Sequence, residues 1–205
     1  MSAVPATIRL GAEALSVLGL YGVYTQSQHH LPPGPYGQLA AGATAGAALS
    51  LIAHPLGARH FPETSAELRA AMPNTPLYRT ILKSASGYAC FFAVAEGLRT
   101  GYYKARLVDA SRKGTKLPAR VDDPHWHATN FFAGGVGGLA YRAATLPYFS
   151  GPMDNPLLSR NGVGILVGTF VAMGAMLAGF GYVDETFGLD FHPERWHKLG
   201  DKVLE

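Results

Sequence analysis

Glu96 and Arg142 stand inside stretches that are otherwise apolar. A charge at the centre of a bilayer costs about 2.5–3.5 kcal/mol on insertion scales, so each must face a partner or water. The expected arrangement is an intramembrane ion pair, Glu96 with Arg142, with Arg99 a second candidate partner for Glu96. A structural role is favoured and a transport role is the alternative. Eight histidines raise the question of a metal or haem. His125 and His127 flank Trp126 at a spacing that does not share a helix face. Neither they nor His54, His192 and His197 have a Cys or carboxylate spaced to complete a ligand set. There is no serine elbow and no His/Asp grouping with sequence support. Gly162 and Gly164 are followed by Gly168, one position too late for a dinucleotide fingerprint, and Lys113-Gly114-Thr115 has the wrong order for a phosphate loop. Catalytic, cofactor-binding and metal-ligating residues are therefore all expected to be absent.

What positions the two charges is a set of helices rich in small residues. Charged residues make up 15% of the 205-residue chain and glycines number 25, against a charged share of about 25% in soluble domains. The mean hydropathy, +0.09, is diluted by glycine and alanine. Between positions 14 and 58 there is no Asp, Glu, Lys or Arg. The net charge of +3 is clustered in a way that suits lipid better than nucleic acid, for which no recognition module is present. Cys90 is the single cysteine, in an apolar stretch, which excludes a disulfide framework and reads as a buried thiol. Neither a secretory signal nor an Arg-rich transit peptide is recognisable, so targeting information is expected to be internal.

Four spans are predicted. Residues 8–24 form a helix carrying Arg9 and Glu13, short of the ~20 apolar residues that cross hydrocarbon, hence interfacial or partly inserted. His29, His30 and Leu31-Pro32-Pro33-Gly34-Pro35 are expected to break it. The first span covers 36–58, with Gly42, Gly46 and Ser50 on one face, and ends at His54-Pro55 and Gly57. Thr64-Ser65-Ala66-Glu67 is a capping box that predicts a surface helix to about Met72. The second span, 79–103, carries Lys83 and Glu96 near its ends and closes on Tyr102 and Tyr103. A basic segment follows to Arg120, with Lys104, Arg106, Arg112, Lys113 and Lys116. It either contacts anionic lipid headgroups, at about 1 kcal/mol per basic residue, or is a solvated loop that sets topology. The third span covers 128–149 and the fourth, free of charge, 161–183. Residues 193–205 read as an amphipathic helix for a membrane surface or a partner. The domain division is thus an interfacial segment 1–35, a transmembrane domain 36–184 and a tail 185–205.

The glycines are the organising feature. Gly134, Gly135, Gly137 and Gly138 lie within five positions. Each costs about 1 kcal/mol relative to Ala in a soluble helix, whereas between membrane helices small residues let backbones approach and pack. Gly42, Gly46, Gly134, Gly135, Gly138, Gly164 and Gly168 are the expected packing positions of an all-α, four-helix transmembrane bundle.

The run Asp122-Asp123-Pro124, then Asn130-Phe131-Phe132-Ala133-Gly134-Gly135-Val136-Gly137-Gly138, resembles the mitochondrial inner-membrane translocase channel (Tim) family of four-helix proteins. Within that family it is most similar to the branch that serves as an accessory subunit of respiratory complex I. The likeness covers about residues 36–184 and is sharp between 122 and 142. The resemblance implies a multi-pass protein of the mitochondrial inner membrane, without chemistry or cofactor of its own. It also implies binding to the membrane arm of NADH:ubiquinone oxidoreductase and to phospholipid, cardiolipin included, and a role in assembly or stability. A protein translocase or solute channel is the alternative. Five residues separate Pro124 from Asn130, more than the family pattern has. With four spans, the N-terminus, basic loop and C-terminus share one side, which the positive-inside rule assigns to the matrix; the translocase relatives are expected to place both termini in the intermembrane space.

Overall fold

The proline and glycine positions divide the chain, and between them it is helical. The computed structural model describes residues 6–32, 34–60, 77–116, 120–148 and 162–187, and among these there is no strand. The helices are α1 (Ala6–His30), α2 (Pro35–His60), α3 (Leu77–Lys113), α4 (Pro124–Thr145) and α5 (Gly162–Phe187), with 3-10 turns at Arg120–Asp122 and Leu146–Tyr148. By contacts the chain forms two units, Met1–Ala89 and Cys90–Glu205, with α3 contributing to both.

Several boundaries differ from expectation, each for a local reason. α1 runs through His29 and His30 and stops only where Pro32 removes a donor and Gly34 takes φ +119°, a left-handed conformation glycine adopts freely. α2 continues past His54-Pro55 to His60. α3 does not end at Tyr103: the basic segment as far as Lys113 is part of the same 37-residue helix. Its stop is a Schellman motif, with Gly114 at φ +63°, the Gly114 N–H donating to the Ser111 carbonyl at 3.2 Å and the Thr115 N–H to that of Ala110 at 3.0 Å. α4 begins four residues before the expected position, because Asp123 caps it and Pro124 occupies its first turn. α5 extends beyond Val183 to Phe187. The predicted surface helix at 64–72 and the amphipathic helix at 193–205 lie outside the described residues.

Only α5, over Gly162–Asp184, is both long and apolar enough among the described helices to cross a membrane on composition. α3 falls short because Lys83, Glu96 and Arg99 interrupt it.

In the first unit α1 lies along α2. Tyr21 and Tyr24 are buried, the Thr25 hydroxyl donates to the carbonyls of Tyr21 (3.1 Å) and Gly22 (2.9 Å), and the Gln28 side chain donates to the Tyr24 hydroxyl. In the second unit α4 is the central element, with α3 on one side and α5 on the other.

Candidate functional site

The closest helix approaches are made by glycine. A Cβ built at Gly134 would lie 2.5 Å from the Met173 carbonyl oxygen and 2.7 Å from the Leu177 Cβ, so α4 and α5 are in backbone contact there. Gly174 answers from α5, its virtual Cβ 2.6 Å from the Phe131 carbonyl oxygen. At Gly135 the added atom would enter the Phe170 ring at 2.6 Å, and at Gly138 the Met173 side chain at 2.8 Å. Phe170 is held edge-on between Phe131 and Phe132, at centroid distances of 5.9 and 6.0 Å. Gly137 faces the other neighbour, where an added Cβ would lie 2.9 Å from the Phe91 carbonyl oxygen and 3.2 Å from the Ala95 Cβ of α3. Two adjoining glycine faces on one helix thus accept two different partners. In the first unit Gly42 approaches Tyr88 and Ala89, where an added Cβ would lie 2.5 Å from the Tyr88 carbonyl oxygen, and Gly46 abuts Ser84 and Ala85.

Among the described residues Gly164 and Gly168 have no packing partner: nothing lies within 4 Å of a Cβ at either. They belong to the outward face of α5, beside the exposed Val163, Val167 and Val171. The contacts of α5 with α4 come instead from Gly174 and Gly181, which the spacing of small residues did not single out because α5 carries them on both faces.

The expected Glu96–Arg142 pair is also replaced. Glu96 Oε1 accepts from Arg99 Nη1 at 2.7 Å, with both side chains buried at 4% and 3% exposure. Arg142 donates from Nε to the Thr169 hydroxyl of α5 at 3.1 Å. The reason is register. The antiparallel packing of α3 and α4 sets Ala95 against Gly137, and Arg142 lies five residues farther along, about 7.5 Å of helix rise.

Around that ion pair the start of α4 gathers aromatic and cationic groups. The Arg99 guanidinium lies 5.2 Å from the Trp126 ring centroid, and Arg120 lies 5.3 Å from Trp126 and 4.9 Å from Tyr103. The Tyr103 and Trp126 rings meet edge-on at 5.9 Å. Arginine suits this stacking because its planar guanidinium is weakly hydrated, and each contact contributes about 0.5–2 kcal/mol. Asp123, 5% exposed, accepts the His125 N–H through Oδ1 at 3.0 Å and the Arg106 guanidinium through Oδ2. The Asp-Pro dipeptide before an apolar run was a legible helix-start signal. The arginine cluster on Trp126 was not, since its members are far apart in sequence.

Of the basic residues expected to meet lipid headgroups, Arg106 is bound to Asp123 and Lys113 to Asp109 at 2.7 Å. Lys104, Arg112 and Lys116 are exposed. Among the described residues no three His, Cys, Asp or Glu side chains come together as a metal-binding group. What the arrangement does chemically is hold helices at fixed spacing and register. Compared with models of protein families, with curated proteins and with solved structures, the chain matches none.

Proposed function

We propose that this chain is a non-catalytic accessory subunit of mitochondrial respiratory complex I, a multi-pass inner-membrane protein that packs on the membrane arm and serves assembly and stability. α2, α3, α4 and α5 are its four spans, and α1, with Arg9 and Glu13 in its first half, lies at the interface. The observation that carries the reading is the double glycine face of α4. The residues that bear the family resemblance, Asn130 to Gly138, are also those by which α4 is packed between α3 and α5. α5, charge-free over its first 22 residues from Gly162 to Val183, supports membrane insertion. The exposed Lys104, Arg112 and Lys116 suit phospholipid headgroups, cardiolipin among them.

A component of an inner-membrane protein translocase or solute channel is the second reading, favoured by the Glu96–Arg99 pair among the helices, since a conducting groove needs polar side chains of this kind. Native-gel separation of digitonin-solubilised membranes with mass spectrometry separates the two. Co-migration with NADH dehydrogenase subunits supports the first reading, co-migration with import machinery the second, and a lone low-mass band overturns both.

A further inference from the structure

Arg142 stands three residues before the end of α4. It takes no part in the ion pairs among the described residues, which join Glu96 to Arg99, Arg106 to Asp123 and Lys113 to Asp109. Its Nε donates to the Thr169 hydroxyl of α5. Thr169 is level with Gly138, where an added Cβ would lie 3.3 Å from the Thr169 Cγ2. Gly138 is one turn nearer the middle of α4, so the Arg142 side chain runs back along the helix, the direction in which every Cα–Cβ bond tilts. The guanidinium is thereby held below the end of α4 instead of reaching out past it. The residue is half-buried, and neither terminal nitrogen is among the enclosed atoms that lack a partner, so both open onto the outside of the α4–α5 seam.

The two helices offer this charge no acid. α4 contains none, and Asp123 at its cap is about 28 Å of helix rise away, while Asp184 of α5 stands about 22 Å beyond Thr169. An arginine cannot shed its proton, and a cation below a membrane surface must face a partner or water. A guanidinium receives phosphate on two parallel N–H donors, and with Nε held by Thr169 the terminal pair is the part left facing outward. We propose that Arg142, oriented by Thr169, binds the phosphate of an anionic phospholipid at the α4–α5 seam. A phosphate anchored by acyl chains reaches this depth, whereas a free one would have to leave water. Because α3 runs antiparallel to α4, the site lies at the opposite end of the bundle from Lys104, Arg112 and Lys116. It rests on the insertion of α4 and α5 proposed above and not on which complex hosts the chain, so failed co-migration leaves it standing.

The test is native mass spectrometry of the full-length chain released from nanodiscs of mixed phosphatidylcholine and phosphatidylglycerol, after carbonate resistance has shown insertion. The expected result is one retained phosphatidylglycerol fewer for Arg142→Gln than for the unaltered chain. Arg142→Lys should retain that lipid several-fold more weakly than the unaltered chain, since an ammonium lacks the planar two-pronged fit. The same differences should persist in a background carrying Lys104→Gln, Arg112→Gln and Lys116→Gln, which separates the two ends of the bundle. Equal retention by the unaltered chain and Arg142→Gln overturns the proposal and leaves the guanidinium for a carboxylate of a neighbouring subunit. Should Arg142→Gln fail to resist carbonate, Arg142→Lys decides, and retention equal to the unaltered chain overturns the proposal. Greater retention in Asp154→Asn also overturns it, because Asp154, in the connection from α4 to α5, is then the partner of Arg142. Extraction of the unaltered chain by carbonate overturns this site together with the membrane reading, whereas loss of the lipid difference alone overturns only the site.

Discussion

Arg106, near the end of α3, and Asp123, the residue before α4, are joined by an ion pair whose carboxylate also caps α4. One side chain thereby ties two consecutive helices. Because Oδ1 serves the cap and Oδ2 the arginine, the two roles come apart by mutation.

Asp123→Asn keeps a capping side chain and loses the ion pair, whereas Asp123→Ala loses both. Loss of an N-cap costs about 0.5–2 kcal/mol, so the Ala variant is expected to be the less stable by that amount in thermal unfolding of the detergent-solubilised protein. In an Arg106→Gln background the Asn substitution should add little. Equal destabilisation by Asn and Ala would show that the cap is idle.

Gly134→Ala and Gly174→Ala push a methyl into a backbone carbonyl across the α4–α5 contact, an overpacking that costs about 1–3 kcal/mol. Gly164→Ala and Gly168→Ala meet nothing and should be neutral or stabilising for the isolated chain, by up to about 1 kcal/mol from helix propensity. Melting temperatures of the four variants side by side check this. A loss at Gly168 equal to that at Gly134 would mean that the outward face is packed in the folded chain.

Removing one member of a buried ion pair strands the other, at about 3–5 kcal/mol. Arg99→Ala is therefore expected to be severely destabilising, and Glu96→Gln combined with Arg99→Gln milder than the sum of the two single changes. Glu96→Gln with Arg142→Gln should be additive, since Arg142 is bonded to Thr169. A double-mutant cycle on unfolding gives both couplings, and non-additivity between Glu96 and Arg142 would restore the pairing read from sequence.

At 25 residues α1 is about 37 Å long, enough to span if it inserts. With α1 interfacial, tags on the two termini are protected together or cleaved together in mitoplasts treated with protease. Opposite fates would show that α1 crosses and that the chain has five spans.

The sequence by itself determined that the chain is helical, roughly where Pro and Gly divide it, and that α4 is a helix made to be approached closely. Local chemistry suffices for these: Pro32 and Gly34 cannot continue α1, and four glycines near Gly134 admit a neighbouring backbone wherever a neighbour is found. Even the i,i+3 spacing of Glu96 and Arg99 was there to be read. Tertiary structure alone decided which face of α5 turns inward, because Gly164 and Gly168 look the same in sequence as Gly174 and Gly181. It also decided that Arg142 stops short of Glu96 and that Asn130 is buried against Gly181 of α5. The physical reason is that helical periodicity records which residues share a stripe, while the rotation and sliding of one helix against another depend on bulky side chains, here Phe131, Phe170 and Met173, that meet only after the chain has folded.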